Sequence, residues 1–304
     1  MKREGEGRKA WTWGRQPLSS SGYREAVRGV LRRVLFLNLA VVVGKLLIGW
    51  RARSLGIVSD AIHSSVDAMN NIIGLIVLRY ATAAPDAGHP YGHRKIESLA
   101  AFVLGGALLV TCLEIVSRAV ERLQDPSRIR VHIDPLTFAV LVGTIAINVA
   151  VFLYERRKGR ALGSPFLLAD ALHTRSDILV SSALLVGLLF IRWKMPVLDP
   201  LLALIISGLI AWSGWQIFAR TVPILIDAAP VSAERVAAIV RSVPGVEQVR
   251  DIRSRSDGER IFLDLVLVLT PKDVRTAHEI TERVEEHLRE TLGPCQVTIH
   301  VEPS

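Results

Sequence analysis

Six stretches of the chain are apolar over roughly the 20 residues that a bilayer-spanning helix needs. They fall near 31–50, 55–79, 97–120, 136–154, 165–191 and 198–219. The second and fifth are the weakest, because each carries charged residues inside its apolar run. Polar groups in hydrocarbon are costly and persist where they do work, so these two helices are the first place to look for function. Past residue 230 the pattern changes. Ser232-Ala-Glu-Arg235 opens a helix with a capping serine and an acidic first turn, and Pro244-Gly245 ends it. Residues 246–253 read as a strand, Asp257-Gly258 as a hairpin turn, and 261–269 as a second strand. An amphipathic helix over 273–292 stops at Gly293-Pro294, and 296–301 forms a last strand. The order α-β-β-α-β predicts a small open sheet with helices on one face.

Composition agrees with a membrane protein. Of 304 residues, 50% are hydrophobic and only 22% charged, less charge than a soluble chain of this length carries. The net charge of +8 does not indicate nucleic-acid binding, because the basic residues flank the apolar runs instead of forming a patch on one soluble module. Counted loop by loop, sixteen Lys and Arg lie on one side of the six spans and eight on the other. The positive-inside rule then places both termini in the cytoplasm. Cys112 and Cys295 give neither a disulfide framework nor a thiolate zinc site. The first 30 residues show no signal peptide. The chain divides into a basic arm (1–27) suited to anionic lipid, a six-helix membrane domain (28–222) and a cytoplasmic domain (223–304).

The chemistry lies in a repeat. Asp60-Ala-Ile-His63-Ser-Ser-Val-Asp67 in the second span and Asp170-Ala-Leu-His173-Thr-Arg-Ser-Asp177 in the fifth share the pattern D-A-x-H-x-x-x-D. Residues at i and i+4 lie on one helix face, so each helix offers an imidazole beside a carboxylate. If the faces meet, two nitrogens and two oxygens converge, a set suited to tetrahedral Zn²⁺. An aspartate at the bilayer centre costs about 2.5–3.5 kcal/mol. A divalent ion cancels both charges, and protons compete for the same atoms, which is a physical basis for antiport. A single His-Asp pair could equally be interhelical glue; the duplicated pattern favours a site. Asp60 and Asp170 read either as supports for the ligands or as helix caps.

At these residues the chain resembles the cation diffusion facilitator family of metal/proton antiporters, from about Asn38 to Glu302. Asn38 and Lys45 in the first span, the stretch Asp86-Ala-Gly-His89-Pro-Tyr-Gly-His93-Arg-Lys95-Ile-Glu97-Ser98, and Asp199-Pro200 fit the family. The resemblance implies an α-helical membrane protein of six transmembrane helices with a C-terminal α+β domain of metallochaperone, ferredoxin-like kind. It implies a homodimer in a bacterial inner membrane and transport at His63, Asp67, His173 and Asp177. It also implies a loop metal site at Asp86, His89 and His93, and a charge pair of Lys95 with Asp227 tying membrane domains together across the dimer. In the cytoplasmic domain His278, His300 and Glu302 stand at ligand positions. Arg250 and Val266 occupy positions where metal-binding members often carry histidine, so a full binuclear site is not expected there. The expected cargo is Zn²⁺, with Cd²⁺, Fe²⁺, Co²⁺ or Mn²⁺ as alternatives.

Two other functional classes fit the sequence less well. A membrane zinc hydrolase would keep three protein ligands and an open position; four candidates are present and no H-E-x-x-H accompanies them, so an enzyme is not expected. A non-transporting scaffold or metal sensor would work through the cytoplasmic domain and would not need the duplicated motif.

Overall fold

The computed structural model describes residues 20–51, 55–124, 135–192, 198–270 and 273–304. Six long helices come first: α1 (Ser20–Arg51), α2 (Leu55–Ala81), α3 (Lys95–Gln124), α4 (Pro135–Leu162), α5 (Pro165–Arg192) and α6 (Leu198–Leu225). They are followed by α7 (Ala233–Arg241), β1 (Val246–Ser256), β2 (Ile261–Leu269), α8 (Val274–Leu292) and β3 (Cys295–Pro303). The chain forms two compact units, one of residues 20–228 with 257–259, the other of 229–256 with 260–304.

A helix stands at each of the six expected places. Among the described residues, three are long and apolar enough to cross a membrane: Lys95–Gln124, Phe138–Leu162 and Pro200–Leu225. The other three are 32, 27 and 28 residues long, and some side chains of each lie outside those described. The first helix begins at Ser20, well before the expected 31, and so takes in part of the stretch read as an arm. The reason is packing: Tyr23 and Val27 are buried in the helical core, anchoring a segment that looks polar in sequence. Residues 1–19 of that arm lie outside the described residues. The sixth helix likewise runs on to Leu225, past the expected 219, with Pro223 tolerated in its last turn.

Close helix packing depends on small residues, as in membrane bundles generally. A Cβ on Gly74 of α2 would lie 2.3 Å from Phe166 of α5, and one on Gly105 of α3 would lie 3.1 Å from Ile217 and Phe218 of α6. Outward-facing Phe36, Leu47, Trp50, Val103 and Leu113 leave apolar surface exposed, as lipid contact requires. One end of the bundle is fastened by Glu97, in the first turn of α3. The Tyr23 hydroxyl donates to both of its oxygens at 2.9 and 2.8 Å, and the Ser164 hydroxyl donates to Oε1. Ser164 also accepts from the Leu167 amide at the start of α5, 3.2 Å away. The Arg94 guanidinium lies 4.0 Å from the centre of the Tyr23 ring. A buried carboxylate held by two hydroxyls with a cation nearby is well satisfied, so this cluster joins α1, α3 and α5.

The second unit has the expected α-β-β-α-β order. Ser232 caps α7 by accepting from the Arg235 amide, and Asp273 caps α8 by accepting from the Thr276 amide at 2.8 Å. Gly293, with φ of +84°, ends α8 in a conformation costly for other residues. β2 is central, antiparallel to β1 and parallel to β3. Alternation along β2 buries Leu263, Leu265, Leu267 and Leu269 against Val236 and Val240 of α7 and Ile280, Val284 and Leu288 of α8. The i, i+4 spacing in both helices is what puts those side chains on one stripe.

Leu263 has no exposed surface. Leu263→Ala should cost about 2–5 kcal/mol. Hydrogen exchange on the full chain should show faster exchange throughout 261–269 and 274–292, with α3 and α6 unchanged; equal acceleration in α3 would contradict two independently packed units.

Candidate metal centre

The repeated motifs meet. Asp67 lies on α2, and His173 and Asp177 lie one turn apart on α5. His173 Nε2 is 3.6 Å from Asp67 Oδ1 and 3.9 Å from Asp177 Oδ2, and one donor atom from each of the three lies within 4.8 Å of the others. All three are part-buried. For Zn²⁺ with bonds of about 2.0–2.1 Å, tetrahedral geometry puts neighbouring donors roughly 3.3 Å apart. The two separations from His173, at 3.6 and 3.9 Å, lie close to that figure. His63 lies on α2 one turn before Asp67; its side chain, like that of Asp60, lies outside those described.

The ligands are backed by a polar chain across three helices. Asn38 of α1 donates to Asn71 of α2 at 3.2 Å, and Asn71 donates to Asp170 Oδ2 of α5 at 2.9 Å. Asp170 is therefore not a helix cap. It lies in the second turn of α5, almost fully buried, three residues before His173. Lys45 donates to Ser64 on α2 at 2.8 Å, so both residues highlighted in the first span brace the motif of the second. Among the described residues, His173 Nδ1 is buried without a hydrogen-bond partner.

The loop residues also converge. Asp86 Oδ1 accepts from the amides of Gly88 at 2.9 Å and His89 at 2.7 Å, a turn that folds the chain back on itself. His89 Nδ1 is then 3.2 Å from Asp86 Oδ1, His93 Nε2 is 3.3 Å from Asp86 Oδ2, and the two imidazole nitrogens are 3.1 Å apart. These separations also suit a common ion. Backbone hydrogen bonding from His89 holds the Asp86 carboxyl below the ordinary carboxylate range.

The cytoplasmic residues do not converge within one chain. Among the described residues, His278, His300 and Glu302 form no cluster able to hold a metal. His278 is largely exposed on α8 and lies 3.5 Å from Glu282. Arg250, Val266 and His300 are cross-strand neighbours on β1, β2 and β3, and Arg250 forms an ion pair with Glu302. The arginine thus takes the carboxylate that a metal would need. The Lys95 ammonium meets Asp227 at 2.7 Å inside a single chain.

One residue escaped the sequence reading. Glu155 has no exposed surface, yet it sits on α4 just before the basic run Arg156-Arg157-Lys158, which made it look like a loop residue. The signal available was its phase: it lies on the same face as Val151, one turn before it and buried in the core.

Residues 31–226 match the family described as "Cation efflux transmembrane domain", and residues 229–304 match "Cation efflux protein, cytoplasmic domain". The chain is 32% identical over 268 residues to an uncharacterized transporter of Methanocaldococcus jannaschii, covering 87% of this chain and 94% of that one. It is 30% identical to Metal tolerance protein C1 of Arabidopsis thaliana, covering 90% and 62%, and 25% identical to the Manganese efflux system protein of Bacillus subtilis, covering 85% and 89%. The chain belongs to the cation efflux family, the cation diffusion facilitators, and is an integral membrane transporter of divalent metal cations.

Because the folded pKa of Asp86 is depressed, the contribution of its turn is present above the unfolded value, near 3.9, and is lost only as pH falls through the lower folded value. In nanodiscs, NMR of the His89 amide should titrate with a midpoint below 3.9. A midpoint at or above that figure would contradict the turn.

Proposed function

We propose that this cation efflux protein exports Zn²⁺ in exchange for protons through a tetrahedral site of His63, Asp67, His173 and Asp177 between α2 and α5. The observation that carries the proposal is the convergence of Asp67 with His173 and Asp177 from opposite helices. Two imidazoles with two carboxylates suit zinc and admit cadmium. Imidazole and carboxylate must shed protons to bind metal and regain them when it leaves, which couples the two flows. All six long helices cross the membrane, and both termini face the cytoplasm, in a bacterial inner membrane. The protein works as a homodimer through its cytoplasmic domain, with rocking of the helices around a fixed site supplying alternating access. The loop residues Asp86, His89 and His93 hold a second ion. The Lys95–Asp227 pair fastens the start of α3 to the end of α6. The cytoplasmic domain binds at most one weaker ion at His278, His300 and Glu302, since Arg250 competes for Glu302.

A second reading keeps the mechanism and changes the cargo to manganese, iron or cobalt. It draws on the Bacillus relative, whose name is that of a manganese exporter. Affinity order does not separate these ions, because geometry and availability set selectivity.

Proteoliposomes with an imposed proton gradient and an internal zinc indicator test the proposal. Asp67→Ala and Asp177→Ala should each slow zinc movement at least about 100-fold, beyond the 10–100-fold cost of removing a residue that only supports a ligand. Wild type moving no more zinc than Asp177→Ala would refute transport at this site. If Mn²⁺ outcompetes Zn²⁺ in the same vesicles, the second reading replaces the first.

A further inference from the structure

Glu155 is a buried acid that the transport site does not use. It lies on α4, and Thr174 of α5 donates to its Oε2 at 3.3 Å. Its other oxygen, Oε1, is buried and has no hydrogen-bond partner among the described residues. Across from it stands the Asp170 carboxyl, close enough for the two to share a hydrogen bond. Asp170 is itself almost fully buried and has one oxygen committed to Asn71. Two ionised carboxylates cannot face each other in a dry interior unless a proton or a cation lies between them. Among the described residues neither carboxyl pairs with a lysine or arginine: the hydrogen bonds to Glu155 and Asp170 come from Thr174 and Asn71.

From this geometry we infer that Glu155, Asp170 and Thr174 form a second cation station, which takes a partly hydrated divalent metal ion before it reaches Asp67, His173 and Asp177. The inference rests on the transport proposal for its direction. Asp170 lies one helical turn nearer the α4–α5 connection than His173, and that end of the bundle is the cytoplasmic one in the proposed topology. The donors are all oxygens: two carboxylates and a hydroxyl, with water completing the shell. Such a set holds hard divalent ions without strict geometry and with modest affinity. That is suitable for a station that must release its ion one turn further on. The imidazole-bearing site beyond it then sets selectivity. Thr174 links the two, since it follows His173 directly and touches Glu155.

The test uses Mn²⁺ as probe, on full-length protein in nanodiscs, in a background with Asp67→Ala, Asp177→Ala and His89→Ala. That background silences the transport and loop sites. Equilibrium dialysis and electron paramagnetic resonance should find one bound Mn²⁺ per chain that disappears with Glu155→Gln and equally with Asp170→Asn. Gln keeps the acceptor for Thr174, and Asn keeps the acceptor for Asn71. If either variant aggregates, the other decides. With the transport ligands intact, Glu155→Gln should raise the half-saturating metal concentration about tenfold, the lower range for loss of a supporting ligand, with a smaller change in maximal rate. Unchanged Mn²⁺ binding in both variants would place the ion elsewhere, and no bound Mn²⁺ in the background would show that the pair holds only a proton; either result would overturn the inference. That result would leave the transport proposal standing, because zinc movement by wild type against Asp177→Ala is measured separately.

Discussion

The rest of the structure depends on the gathering of carboxylates among helices that sit in hydrocarbon. Asp67, Asp177, Asp170 and Glu155 come from three helices, and none is buried cheaply. Neutral donors offset part of the cost: Asn71 serves Asp170, and Thr174 serves Glu155. The remainder requires a positive charge that can come and go. The polar chain from Asn38 through Asn71 to Asp170, and the contact of Gly74 with Phe166, hold α2 against α5 closely enough for Asp67 to lie 3.6 Å from His173.

The two units solve different problems. In the helical unit, packing relies on small residues and buried hydrogen bonds, because lipid is as apolar as leucine and offers little drive to associate. The Glu97 cluster with Tyr23 and Ser164 shows this at one end of the bundle. In the cytoplasmic unit the hydrophobic effect does the work. Alternate leucines of β2 fill a core closed by α7 and α8, and the opposite sheet face mixes Phe262, Val266 and Val268 with charged side chains. On that face Arg250 pairs with Glu302 beside His300, so charge is balanced by protein in place of metal.

Much of this was legible in the sequence, for identifiable reasons. The D-A-x-H-x-x-x-D repeat predicted the meeting of α2 and α5, because i, i+4 spacing fixes a helix face without reference to tertiary structure. Strand β2 was legible to the residue, since Arg260 and Thr270 bracket an unbroken β-rich run. Helix ends were less so. Nothing local marks Tyr23 as buried, because its burial depends on Glu97, 74 positions away. Glu155 was hidden by the arginines after it, and its partners Asp170 and Thr174 lie on another helix. The within-chain pairing of Lys95 with Asp227 depends on how α3 packs against α6, which no local pattern encodes.

The most direct measurement is zinc K-edge X-ray absorption on protein in nanodiscs whose loop site has been removed by Asp86→Ala and His89→Ala. The account predicts one four-coordinate zinc per chain, with nitrogen and oxygen neighbours at about 2.0–2.1 Å and an imidazole signature. That four-coordinate, imidazole-bearing signal should be lost once Asp67 and Asp177 are replaced by alanine. An unchanged spectrum after those replacements would contradict it.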